Sequence, residues 1–236
     1  MRRKLSIVIP ILNEEKNISP LTKKIKKYLK SYDFEIIFVD DNSNDKSKEI
    51  LKKLKKKYLF FKPILRSNEP DLSKSCFDGI KKSKFENILI MDGDLQHDPK
   101  YIPNMYNKYI KEDLDLVVGA RKLYKPNNPG LSETRRFASL ILIYFFSFLN
   151  IKTKDPMSGF FLFKKKIFTK NKRKYFGKGF KILADLIINS RPKLKTGDIY
   201  IDFKRRHRDK SKMNYKILLI LINFYLISLC RKLFIN

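Results

Sequence analysis

The sequence predicts an α/β protein with a mostly parallel sheet flanked by helices. Three observations predict it. Short β-rich runs alternate with amphipathic helical segments through the first half of the chain, the connections are long enough for βαβ units, and polar, carboxylate-bearing clusters recur just after the runs. With 236 residues, 43% of them apolar, the chain suffices for one generous domain with a real core.

The elements follow in order. Residues 5–10 form a β-rich run, and 16–29 carry apolar residues at helical spacing. A second strand is expected over 34–39 and a second amphipathic helix over 46–58. A weaker strand, 62–66, precedes a helix over 72–82. The apolar run 87–91 reads as a buried strand, 101–110 as a helix and 115–118 as a fifth strand. Crossovers of this kind are right-handed. Beyond Arg121 the rhythm breaks. Residues 123–131 are a Pro- and Asn-rich loop. Residues 137–149 are apolar but too short to span a bilayer at ~1.5 Å per residue, so they form either a core helix or an interfacial helix lining a lipid-accessible groove. Residues 217–230 are apolar on almost every helical face, which demands burial in protein or lipid. Lys212 and Lys216 precede them and Arg231 and Lys232 follow. A helix of that length reaches ~21 Å, so a monotopic or re-entrant anchor is favoured over a full span.

Composition narrows the function. The formal charge is +29, from 53 Lys and Arg against 24 Asp and Glu. Nucleic-acid binding would call for basic residues on one face with exposed aromatics or a recognised motif, and no such motif is found. The excess is assigned partly to a Lys-, Ile-, Asn- and Phe-rich composition and partly to membrane and phosphate contacts. Cys76 and Cys230 have no Cys-x-x-Cys partner and read as buried or membrane-facing thiols of a reducing compartment. Met1-Arg2-Arg3-Lys4 looks like the start of a signal peptide. The apolar run behind it ends at Pro10, however, so a strand is the better reading and the active portion is expected in the cytoplasm.

The chemistry concentrates in Asp92-Gly93-Asp94, followed by Leu95-Gln96-His97. Two carboxylates at i, i+2 leave a strand on the same side, and Gly93 is expected to let the chain turn without strain. Hard oxygen ligands suit Mg²⁺ or Mn²⁺, which clamp phosphates. Four more clusters sit at corresponding places: Pro10 with Asn13 and Glu14, Asp40-Asp41-Asn42-Ser43, Gly119-Ala120-Arg121, and Asp155-Pro156-Met157-Ser158-Gly159-Phe160. Each alone has a plainer reading, with Asn13 and Ser43 as helix caps and Asp155-Pro156 as a turn. Together they converge on the crevice at the carboxyl edge of the sheet.

These blocks, with Phe203, Arg206, Ser211 and Lys212, resemble the family 2 inverting glycosyltransferases of the GT-A fold, and most of all the polyprenol-phosphate sugar synthases of the dolichol-phosphate mannosyltransferase type. Asp71-Leu72-Ser73 stands where many relatives carry Gly-Leu-Gly, Leu12 where many carry an aromatic, and Asp209 where they often have Gly. The resemblance implies that Pro10, Asn13, Glu14, Asp40, Asp41 and Asp92 hold the donor nucleotide. It implies that Asp92, Asp94 and Gln96 hold Mg²⁺ or Mn²⁺, and that Arg121, Arg135, Ser139, Arg206 and Lys212 receive the acceptor phosphate. Asp94 and Arg121 are the residues closest to catalysis, and His97 is read as structural. An ionised phosphate acceptor needs little general-base help, and Arg forks cancel its repulsion with the donor.

The expectation is therefore an inverting hexosyltransferase at the cytoplasmic membrane face. Its donor would be GDP-mannose first and UDP-glucose second, its acceptor dolichyl or undecaprenyl phosphate, and it would bind no nucleic acid. Residues 1–212 would form the GT-A domain, with a nucleotide-sugar and metal half to 121 and an acceptor half over 122–212, and 213–236 an apolar membrane anchor. One alternative extends a surface polysaccharide on a sugar hydroxyl, which would make Asp155 or Asp185 essential as general base. A remoter one is a basic nucleic-acid or membrane-binding module keeping a decayed fold.

Overall fold

The computed structural model describes residues 2–122, 140, 143–149, 151–171, 175–177, 179, 182–203, 223 and 225–230. Among them, seven strands form one sheet: β1 (Arg3–Ile11), β2 (Tyr32–Asp40), β3 (Ile64–Leu65), β4 (Asn87–Ile90), β5 (Leu116–Arg121), β6 (Phe161–Lys164) and β7 (Thr196–Ile201). Their order is β3-β2-β1-β4-β6-β5-β7. All neighbouring pairs are parallel except those of β6, which runs antiparallel between β4 and β5. The mostly parallel sheet expected from the sequence is present. The elements to β4 fall within a few residues of their expected places, while β5 runs on through Arg121. The order reverses beside β1, so the crevice between the ends of β1 and β4 is the topological switch point where such sheets bind ligands.

Strand periodicity explains the layers. In β1, Leu5, Ile7, Ile9 and Ile11 face one core with Ile18, Leu21 and Ile25 of α1 (Glu15–Tyr28), Leu51 of α2 (Ser47–Lys57) and Ile102 and Met105 of α4 (Ile102–Lys111). Val8 faces the other way, with Val39, Ile90 and Val118, toward Cys76 and Ile80 of α3 (Leu72–Lys82), Ile167 and Phe168 of α5 (Lys165–Asn171), and Leu183 and Leu186 of α6 (Ile182–Asn189). Full burial of a Leu or Ile contributes about 1.5–3 kcal/mol, so these two layers dominate the stability. Gly79 is required by closeness: a Cβ there would come within 2.3 Å of Val8 Cγ1, so α3 lies directly on the strands.

A third apolar cluster joins the second half. Phe146, Leu149 and Ile151 pack with Ala184, Tyr225 and Leu229. Residues 143–147 are helical, as are 225–230, and the Phe145 and Tyr225 rings meet at 5.4 Å. Outward from this pair Tyr144, Phe145, Phe148 and Leu226 are 64%, 44%, 51% and 52% exposed. No helix among the described residues is long and apolar enough to cross a membrane. Most of 213–236, where an anchor was expected, lies outside the described residues.

Candidate functional site

Parallel strands deliver their following loops to one edge. Asp41 follows β2, Asp92 and Asp94 lie just beyond β4, and Arg121 ends β5. Because β6 runs the other way, the segment 155–160 leads into it at that same edge, with the Phe160 carbonyl accepting from Gly119 N–H at 2.8 Å. Four of the five sequence clusters therefore follow or end strands, and the fifth precedes one.

On one side of the crevice, the loops after β1 and β2 brace each other. Asn13, at φ 56°, donates its N–H to Ser43 Oγ (2.8 Å), and its side-chain oxygen accepts from Asn44 N–H (2.8 Å). Glu14 N–H donates to Ser47 Oγ at 3.1 Å. Asn13 and Ser43 are thus loop ties and not helix caps, since α1 and α2 are capped at Glu14 and Lys46. Pro10 is a buried β1 residue paired with Val39. Asp40 Oδ2 accepts from Ser43 N–H at 3.2 Å, while its buried Oδ1 has no hydrogen-bond partner among the described residues. Sequence reasoning missed Arg66. This buried guanidinium pairs with Asp41, reaches Asp78 at 3.2 Å, and donates to Ser75 Oγ at 2.9 Å. Its available signal was an arginine ending a strand in a chain whose cations are mostly lysine.

Asp71-Leu72-Ser73 has a defined job. Asp71 caps α3 through Lys74 N–H (3.0 Å) and accepts from Gly179 N–H (3.1 Å), and Ser73 Oγ donates to the Gly179 carbonyl (2.8 Å). Glycines at 71 and 73 could not make these side-chain bonds.

At the centre, Asp94 is buried and its Oδ1 accepts from Gln96 N–H at 3.1 Å, while the Asp92 side chain is 36% exposed. The left-handed residue of this turn is Leu95 (φ 63°), correcting the expectation placed on Gly93. Gly93 is needed for space, since a Cβ would lie 2.5 Å from Ile11 Cγ2. Asp92 also has His97 Nδ1 at 3.4 Å, and Gly159 packs against its carboxylate. Cys76 lies buried nearby, its thiol pushed up by burial and further by Asp92, Asp41 and Asp71, which makes it an inert packing group. Cys230 is exposed. No group of three or more His, Cys, Asp or Glu among the described residues could hold an ion by itself. Two carboxylates and an amide, one carboxylate open to the crevice, nonetheless fit Mg²⁺ or Mn²⁺, which keep waters and take phosphate oxygens as their remaining ligands.

On the far side Arg121 forks onto Asp155, with Nε to Oδ2 at 2.6 Å and Nη2 to Oδ1 at 2.8 Å, and its own N–H adds a third bond at 3.1 Å. Burial opposes the Arg121 charge, but Asp155 outweighs burial and raises the pKa. The guanidinium also lies 5.5 Å from the centre of the Phe203 ring. Asp198 is half-buried, which raises its pKa, and it accepts from Thr153 and from Lys154 N–H and so holds the segment before Asp155. Asp185 accepts from Phe176 N–H, Gly177 N–H and Asn189 Nδ2 at 3.0, 2.9 and 2.7 Å. Arg135, Ser139, Arg206, Ser211, Lys212 and Asp209 lie outside the described residues.

Residues 6–171 match the family described as glycosyl transferase family 2. A dolichol-phosphate mannosyltransferase of Pyrococcus furiosus is 32% identical over 90% of this chain, which spans 60% of that relative's length. The corresponding Saccharomyces cerevisiae protein is 32% identical over 91% of this chain and 82% of its own. Among solved structures, glucosyl-3-phosphoglycerate synthase from Mycobacterium tuberculosis, in complex with Mn²⁺, UDP-glucose and phosphoglyceric acid, superimposes with a TM-score of 0.71 at 16% identity, covering 97% of this chain and 79% of that one. That likeness is one of fold.

Proposed function

The chain belongs to glycosyl transferase family 2, and from that premise we propose that it is an inverting glycosyltransferase moving a hexose from a nucleotide diphosphate sugar to a polyprenyl phosphate at the cytoplasmic face of a membrane. The observation that carries this choice of acceptor is the fate of two carboxylates. A sugar-hydroxyl acceptor needs a general base, and the sequence offered Asp155 and Asp185 for that role. Asp155 is fully buried and committed to Arg121, and Asp185 is committed to two backbone N–H groups and Asn189. An acceptor that arrives already ionised needs neither.

In this reading Asp40 and Asp41 hold the base and ribose, the orphaned Asp40 Oδ1 taking a donor from the ligand, and Pro10, Asn13 and Glu14 shape that wall. Asp92, Asp94 and Gln96 hold the divalent ion, which when bound neutralises the departing diphosphate. Arg121, fixed by Asp155 and Phe203, presents a cation to the acceptor phosphate, with Arg135, Ser139, Arg206 and Lys212 as its partners. A phosphate oxygen attacks the anomeric carbon, the bond to the diphosphate oxygen breaks on the opposite face, and its electron pair leaves with the nucleoside diphosphate, so configuration inverts. That two relatives are mannosyltransferases favours mannose as the sugar moved, and GDP-mannose is the first donor to test, ahead of UDP-glucose. The exposed Tyr144, Phe148 and Leu226 would seat the acceptor half on lipid.

The test is transfer of labelled sugar from GDP-mannose, UDP-glucose or UDP-N-acetylglucosamine to added polyprenyl phosphate in detergent with Mg²⁺ or Mn²⁺. Label that reaches the organic phase, disappears with chelator and is lost in Asp94→Asn is the expected result. Donor turnover with no lipid-linked label would overturn the acceptor assignment.

A further inference from the structure

We propose that His97 and Gly159 are positioning residues that fix the Asp92 carboxylate for the divalent ion and the donor diphosphate, an inference that rests on the transferase reading above. Asp92 is the more exposed member of the acidic pair, so it is the carboxylate whose orientation its neighbours can most affect. His97 is 1% exposed, and its buried Nδ1 makes no hydrogen bond of good geometry. The Asp92 Oδ2 lies 3.4 Å from it. A buried polar nitrogen left without a partner is unfavourable, so a small shift that brings the carboxylate within hydrogen-bond distance of Nδ1 is favoured. Bonds of this kind tighten when a site is loaded. The ring cannot turn away freely. It stacks on Phe160 (centroids 5.2 Å, planes 24° apart) and meets Phe203 at 5.2 Å.

Gly159 supplies the second constraint. Its φ is not positive, so its backbone does not demand glycine. Space does: a Cβ would lie 2.3, 2.4 and 2.5 Å from Asp92 Oδ2, Oδ1 and Cγ. All three carboxyl atoms thus press on the place where any other residue would carry a side chain. The segment 155–160 therefore delivers, within a few residues, the partner of Arg121, the glycine that accommodates Asp92 and the aromatic that holds His97. Ligand-orienting groups of this sort act through hydrogen bonding and steric confinement and not by contact with the ion.

A purely structural His97 would be replaced adequately by another flat ring. His97→Phe keeps the stacking and removes Nδ1, while His97→Asn places an amide N–H near the lost Nδ1. The measurement is Mn²⁺ affinity by water-proton relaxation in the presence of GDP or UDP, with melting temperature recorded in parallel. His97→Phe is expected to weaken Mn²⁺ about 10- to 100-fold with little change in melting, and His97→Asn to recover most of the loss. Gly159→Ala, which leaves every ring in place, carries the same expectation should His97→Phe fail to fold. In an Asp92→Asn background His97→Phe should add less than about 2-fold, because both act through one group. Wild-type affinity in both His97→Phe and Gly159→Ala, or a full His97→Phe effect without the Asp92 carboxylate, would overturn the inference alone. A wild-type protein that binds no Mn²⁺ beside either nucleotide would overturn the transferase reading and this role with it.

Discussion

At the residue scale, Arg121 and Asp155 form a largely buried ion pair. Asp155 has side-chain exposure of 1% and Arg121 13%, so removing one partner strands the other. Asp155→Asn should cost about 3 kcal/mol in urea denaturation, the lower end for a broken buried pair because Arg121 keeps some solvent. Glu35 gives a pH test. Burial alone would raise its pKa, but bonds from Lys62, Ser6 and the Lys84 N–H outweigh burial and pull it below the usual glutamate value. The folded state then holds its proton less tightly than the unfolded one, so the stability contributed is present above the ordinary glutamate pKa and is lost as pH falls through the lower folded value. Wild type should lose stability across that acidic window, and Glu35→Gln should flatten the slope while being less stable at neutral pH, as read by denaturant midpoints. The acidic pair was legible because Asp92-Gly93-Asp94 follows an unbroken apolar run. Arg66 was not, since nothing in the sequence ties it to Asp41, 25 residues away.

At the element scale, legibility tracked periodicity. β1, β2 and β4 are apolar runs bounded by polar turns, and α1, α2 and α3 show clean amphipathic spacing. β6 and β7 escaped sequence reading for different reasons. β6 is four residues directly behind a motif that drew attention to its chemistry. β7 is an edge strand whose residues are mostly half-buried, so its pattern carries no apolar signature. Residues 165–171 and 182–189 are short, and α6 is apolar on most faces, which hides helical period. The close seat of α3 yields a prediction. Gly79→Ala should destabilise by about 1–3 kcal/mol through overpacking against Val8 and Val39, measured as a lowered denaturation midpoint with an unchanged slope.

At the scale of the whole molecule, charge and the exposed aromatic face act together. A protein of net charge +29 with Tyr144, Phe145, Phe148 and Leu226 outward should bind anionic vesicles more tightly than neutral ones, and less so as salt rises. Replacing Tyr144 and Phe148 together with Ser should weaken sedimentation with vesicles by at least about 10-fold while leaving Mn²⁺ and nucleotide binding intact. The reversed direction of β6 has one more consequence. The chain leaves the sheet at Arg121 and returns through Asp155 at the same edge, and these two residues, 34 apart, bond to each other. This bonded pair closes the stretch of chain between them at its two ends, so the length of that stretch is independent of strand register. Doubling such a loop costs only about 0.6 kcal/mol. In the function proposed above, selection could therefore lengthen, shorten or exchange that stretch to suit a different acceptor while the loops after β1, β2 and β4 stay as they are, which makes this scaffold an inviting host for grafted specificity.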